Sequence, residues 1–177
     1  MVFESAVYYN VTYDLSHLNT FLHEFEQQAS GDKPARKYLV AVRFSHHCFT
    51  EGKKLGDDPL LEFVDASAKR DHRTFDVLRW KLSKRLPEIV RGLMGRHIAH
   101  TNHHSFFTIE VVLGDGARLD YEMFFEVARI KGKLNLTVTT AFVRDQPYLS
   151  GRPQGTKIRL STILFNVSTN KPIRSGR

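Results

Sequence analysis

The side chains able to do chemistry crowd into two short stretches. Ser45 to Gly52 reads SHHCFTEG and brings together His46, His47, Cys48 and Glu51. Arg96 to His104 reads RHIAHTNHH and adds His97, His100, His103 and His104. Imidazole exchanges a proton near neutral pH, so one histidine can serve as general base while another serves as general acid. The expected pair is His46 or His47 with His100 or His103. Glu122 is a reserve base on the polar side of a strand.

Two other chemistries compete for the same residues. His100 and His103, joined by His46 or Cys48 and by Glu51, are ligand types that suit zinc. Their spacing matches neither HExxH nor CxxC, so no metal and no cofactor is expected. Cys48 stands beside histidines that would make it a nucleophile if they lowered its pKa. A half-buried, inert thiol is the plainer account. Structural or surface histidines are the ordinary alternative for any one of the nine. No GxSxG, Walker or dinucleotide-binding glycine motif is present.

Both histidine stretches sit at the edges of strands. Lys37 to Phe44, KYLVAVRF, reads as a strand running into the first. The second leads into a half of the chain dominated by alternation of apolar and polar residues, the mark of a strand with one buried face. Ser105–Leu113, Ala117–Ile130, Leu134–Phe142 and Lys157–Val167 are the four runs. Pairing Ile130 with Lys133 across a Lys131-Gly132 turn matches Val127 to Leu136 and Phe125 to Val138. Pairing Leu113 with Ala117 matches Ile109 to Tyr121. Earlier, Leu15, Leu18, Phe21, Leu22 and Phe25 recur at helical spacing, as do Phe75, Leu78, Leu82, Leu86, Ile89, Val90 and Leu93. Pro87 should kink or split the second helix. The expected fold is α+β: a four-stranded antiparallel meander over about 105–167, packed against a long helix of about 75–93 and an N-terminal helix of about 16–28. It forms a single domain, 1–177, with a mobile basic tail over 170–177.

Composition narrows the classes. The chain has 177 residues, 41% of them hydrophobic, with 13 phenylalanines, which suits a folded core. Its one cysteine excludes an internal disulfide. The N-terminal stretch has no signal-peptide pattern, and no apolar run approaches the ~20 residues of a membrane span, so the expected location is cytoplasmic. A net charge of +7 favours a polyanionic partner such as RNA. Arg79, Lys84, Arg85, Arg144, Lys157 and Arg159 are the expected phosphate contacts, although a row of cations is also what a solvated helix face looks like.

Helices followed by an antiparallel meander in a small basic chain, over residues 75–167, resemble the barnase–RelE group of RNA-cleaving enzymes and toxins. The segments HHCFTEG, AFVRD and FNVSTNKPI look like motifs that an uncharacterised bacterial family would share. The resemblance to the RNA-cleaving group implies a metal-independent, toxin-like ribonuclease with an antitoxin-like protein partner. A base would activate a ribose 2′-hydroxyl, an acid would protonate the leaving oxygen, and cations would stabilise the phosphorane. The alternatives are a non-catalytic module that binds nucleic acid or protein, and a metal-dependent hydrolase built on the histidines.

Overall fold

The computed structural model describes residues 2–31, 33–64, 71–101, 105–114, 117–143 and 156–173, with the backbone alone at 110–114, 117 and 118. β1 (Ser5–Tyr8) and β2 (Val11–Asp14) form a hairpin of their own. β3 (Phe21–Gln27) and β4 (Arg36–Phe44) follow as an antiparallel pair. β5 (Thr50–Gly52), β6 (Glu62–Val64) and β7 (His72–Phe75) make a small sheet with β7 in the middle. Then come the helices α1 (Val77–Ser83) and α2 (Leu86–Arg91). β8 (Ile98–His100), β9 (Phe106–Gly114), β10 (Ala117–Ile130), β11 (Lys133–Val143), β12 (Thr156–Ile158) and helix α3 (Leu160–Ser168) complete the described chain.

The main sheet has seven strands in the order β12-β8-β9-β10-β11-β4-β3, and β4 lies parallel to β11. This corrects the expected four-stranded meander against a long helix. Three of the four runs do pair antiparallel, as β9, β10 and β11. The fourth does not join them. Within Lys157–Val167, Leu160, Ile163 and Leu164 are buried together. That is the i, i+3, i+4 spacing of a helix, and a strand reading leaves Ile163 on the wrong face. The short strand β12 instead pairs with β8 at the sheet's edge.

The N-terminal helix is also corrected. Leu15 and Leu18 are buried around a single 3-10 turn, Ser16–Leu18. Phe21–Gln27 is a strand, in which Phe25 is buried and Leu22 is 67% exposed. The apolar positions satisfy a helical period, but Phe21, His23 and Phe25 also alternate with Leu22, Glu24 and Glu26. Pairing with β4, Phe25 opposite Tyr38, decides for the strand. The long helix of 75–93 breaks for two reasons. Phe75 belongs to β7, and Asp76 caps α1 by accepting from the Arg79 backbone N–H at 3.0 Å. Pro87 sits in the first turn of α2, where its missing N–H costs nothing. Leu82, Leu86, Ile89, Val90 and Leu93 are buried as expected, whereas Leu78 is exposed.

These helical residues and α3 join one core with Tyr38, Val40, Val42, Phe44, Phe106, Tyr121, Met123, Phe125, Leu136 and Val138, all from one face of the sheet. The other face leaves Leu22, Leu39 and Ile130 exposed. The β10–β11 register follows the expected pairs, Ile130 with Lys133 and Val127 with Leu136, until a bulge at Phe124/Phe125. The β9–β10 register differs by one residue: Ala117 pairs with Gly114, and Ile109 with Glu122. The slip turns Phe107 away from the main core and onto Phe124, which in turn stacks on Phe142 at 6.0 Å. Among the described residues, no helix is long and apolar enough to cross a membrane.

Lys131 and Gly132 both have positive φ, 49° and 79°, as a type I′ hairpin requires. Gly132→Val should cost roughly 1–3 kcal/mol, because a β-branched side chain resists that region. A lowered melting temperature with an unchanged folded spectrum is the expected result.

Candidate functional site

The histidine stretch is placed by the end of β4. Ser45 donates its N–H to the Val138 carbonyl at 2.9 Å, continuing the parallel pairing for one residue. The chain then leaves the sheet in a 3-10 turn, His46–Cys48, in which the Ser45 hydroxyl accepts from the His47 N–H at 3.3 Å. The turn's carbonyls are bound from several sides. Thr50 Oγ1 donates to the His46 carbonyl at 2.8 Å. Arg79 Nη1 donates to the Thr50 carbonyl at 2.8 Å and reaches the His47 carbonyl at 3.4 Å. Arg73 donates to Thr50 Oγ1 at 2.7 Å and to the Thr50 carbonyl at 3.2 Å. Backbone carbonyls in so buried a segment must be satisfied internally, and Arg79 does so for His47 and Thr50 while Arg73 does so for Thr50.

β7 brings the missing partner. Asp71 immediately precedes it, and its Oδ2 lies 2.8 Å from His47 Nε2 and 3.2 Å from His46 Nε2. The two rings are T-shaped with centroids 4.5 Å apart, and His46 also stacks on Phe63 of β6 at 5.5 Å. Arg73 Nη1 holds the other carboxylate oxygen, Oδ1, at 3.4 Å. The three donor atoms of His46, His47 and Asp71 all lie within 4.8 Å of one another. His46 is nearly buried, while about a third of His47 and of Asp71 reaches solvent.

The electrostatics follow from this geometry. Hydrogen bonds from His47 and His46, with the Arg73 guanidinium beside them, hold the Asp71 carboxyl down at about 2. Desolvation lowers the pKa of His47 despite its carboxylate partner, so its ring favours the neutral form. An ionised carboxylate only accepts, so both Nε2 atoms present a hydrogen to Oδ2. Cys48 is fully buried, and desolvation pushes its thiol up to about 12, which makes it an inert packing residue rather than a nucleophile.

The other expected site residues are scattered. His100 is buried beside Phe106. It stands in one row across the sheet with Phe106, Phe125, Val138 and Phe44. Four strand spacings of ~4.8 Å put it roughly 19 Å from the end of β4, so the structure does not bring His100 to His46. Glu122 is buried on the opposite face, paired with Ile109 and Phe142, and Arg79 lies 5.4 Å over the Phe142 ring. Of the expected phosphate contacts, Arg79 is committed to the histidine turn. Lys84 lies over Trp80 at 3.9 Å, and Arg85, Lys157 and Arg159 are exposed. His103, Arg144, the loop 144–155 and the end of the tail, 174–177, lie outside the described residues. Asp71 and Arg73 are the residues that sequence reasoning passes over. Asp71 falls in a polar stretch, 65–72, that reads as irregular until β7 is seen between β5 and β6.

The fold and site together define a mostly β protein that carries a His-His-Asp cluster where a parallel strand leaves its sheet. The model of the YjaZ family matches residues 5–168, and the chain belongs to that family. It is 28% identical over 161 residues to Protein YjaZ of Escherichia coli (strain K12), covering 90% of this chain and 87% of that protein. No solved structure matches. These matches give no support to the barnase–RelE resemblance, and the mixed sheet removes the element order on which it rested.

The depressed pKa of Asp71 makes a signed prediction. Its carboxylate contributes stability above the ordinary range near ~3.9 and loses that contribution as pH falls towards about 2. Asp71→Asn should therefore melt a few degrees lower than the parent at pH 7. The gap should close progressively between about pH 4 and pH 2, as followed by thermal melts across that range. A gap independent of pH would show that the carboxylate's charge plays no part.

Proposed function

We propose that the protein is a metal-dependent hydrolase whose centre is His46, His47 and Asp71, and that its substrate class is RNA. One observation carries the metal reading: two imidazole Nε2 atoms converge on a single carboxylate oxygen. A metal-free acid–base pair would aim one ring nitrogen of each histidine at opposite sides of the substrate. Here both Nε2 atoms face inwards, and their hydrogens stand where a divalent cation would be bound. Two imidazoles and a carboxylate suit zinc, manganese or ferrous iron. Such an ion, when bound, supplies Lewis acidity and an activated water.

The chain's own residues supply the rest. Phe63 and the bonded turn fix His46. Arg73 orients Asp71 by holding Oδ1 and leaving Oδ2 to the histidines, the part that outer-sphere partners play in metal sites. The exposed side of His47 and Asp71 is where a substrate would approach. A net charge of +7 supports a polyanion as that substrate.

Calorimetric titration of the purified protein with Zn²⁺ or Mn²⁺ should show one ion per chain. His46→Ala, His47→Ala and Asp71→Asn should each abolish that binding. Arg73→Gln should weaken it about 10- to 100-fold, as outer-sphere changes do, and His100→Ala should leave it intact. Cleavage of total cellular RNA should then be lost in EDTA and restored by the bound metal. Cleavage that survives EDTA would return His46 and His47 to a metal-free acid–base role. No cleavage in either condition, with metal binding intact, would overturn RNA as the substrate.

A further inference from the structure

At the opposite end of β4 from the histidines lies a pocket unrelated to them. It encloses about 240 Å³ between the start of β4 and α3, and is lined by Lys33, Arg36, Gln27, Ser161, Thr162 and Phe165 among others. Among the described residues, no acidic side chain lines it. Arg36 lies over the Phe165 ring at 4.5 Å, and Lys171 reaches the same ring at 5.1 Å. The neighbouring acids Glu24 and Glu26 are engaged elsewhere, since both pair with Lys37 at 2.8 Å. The alternation of β3 and β4 sends those carboxylates to one face of the sheet, while Gln27 and Arg36 stand on the other.

The chemistry of this lining is that of an anion site. Two cations supply charge, two hydroxyls and an amide supply hydrogen bonds, and the stacked ring holds the Arg36 guanidinium in place. β4 spans Arg36 to Phe44; at a rise of ~3.3 Å per residue its ends are roughly 26 Å apart. The pocket is thus too far from His46 to share one phosphate with it, yet near enough for one extended ligand to reach both. We propose that this pocket binds a backbone phosphate of single-stranded RNA and anchors the strand away from the histidine cluster. The inference rests on RNA as the substrate class, but not on the metal.

The test is binding of a labelled oligoribonucleotide of about ten nucleotides across a range of salt, followed by fluorescence anisotropy. Each lost phosphate contact should reduce the slope of log affinity against log salt by about 0.7. Lys33→Gln combined with Arg36→Gln should weaken binding at least tenfold and lower that slope. Thr162→Glu, which places a like charge in the pocket and leaves the Arg36–Phe165 contact alone, should weaken it too. Unchanged affinity and slope in both variants would overturn the proposal. Inorganic phosphate provides the second arm. If the variants lose phosphate binding but keep oligonucleotide binding, the pocket serves a small phosphorylated ligand and the proposal fails. Calorimetry with Zn²⁺ keeps the two sites apart: the pocket variants should bind metal normally, and Asp71→Asn should keep the parent's salt slope.

Discussion

The parallel pairing of β4 with β11 is the constraint on which the molecule depends. Leu134 to Val138 set Val40 to Phe44 in register, and the Ser45–Val138 bond carries that register one residue further. Everything after Phe44 is positioned by where the pairing stops. Because β4 ends there, the chain must turn, and the turn presents His46 and His47 together. β3 closes the same edge of the sheet, and α3 covers the face that β4 helps to build. A parallel pair needs a long crossover. This one carries the small three-stranded sheet beside Asp71 as well as α1, α2 and β8 to β10, so the join that shapes the sheet also delivers the third member of the cluster.

The cluster is electrostatically economical. One carboxylate serves two histidines, and one arginine fixes that carboxylate while also bonding Thr50, just beyond the turn on which the histidines sit. Arg79 repeats the bonding from α1 without touching Asp71. Positive charge is therefore spent on backbone carbonyls, which is why these two arginines are poor candidates for gripping a substrate. Exposed cations stand on α1, at the start of α2, on β12 and around the pocket at the far end of β4, and also at Arg43, Lys53 and Lys54 on either side of the histidine turn in the chain.

Several parts of this were legible in the residues. The His46-His47 pair, the strand before it and the β10–β11 hairpin all follow from local pattern, because turn chemistry and alternation agree there. Three parts were not. Phe21–Gln27 fits both helical and strand periods, and only its partner strand chooses. Leu160–Ser168 alternates well enough to pass as a strand until Ile163 is found buried. Asp71 lies 24 residues from His47, in a stretch without periodicity, and its role comes entirely from the pairing of β7 with β5 and β6. His100 shows the converse error: a histidine near others in sequence is carried four strands away by the sheet.

The single cysteine has a practical consequence. Cys48 is wholly buried, with its sulfur 3.8 Å from the Val138 carbonyl at the point where β4 and β11 part. No other thiol exists in the chain. An alkylating reagent can reach this sulfur only when the histidine turn lifts from β11, so the rate of labelling counts local openings of that seam. The molecule carries its own reporter of how often its candidate centre comes apart, with no residue added and no probe attached.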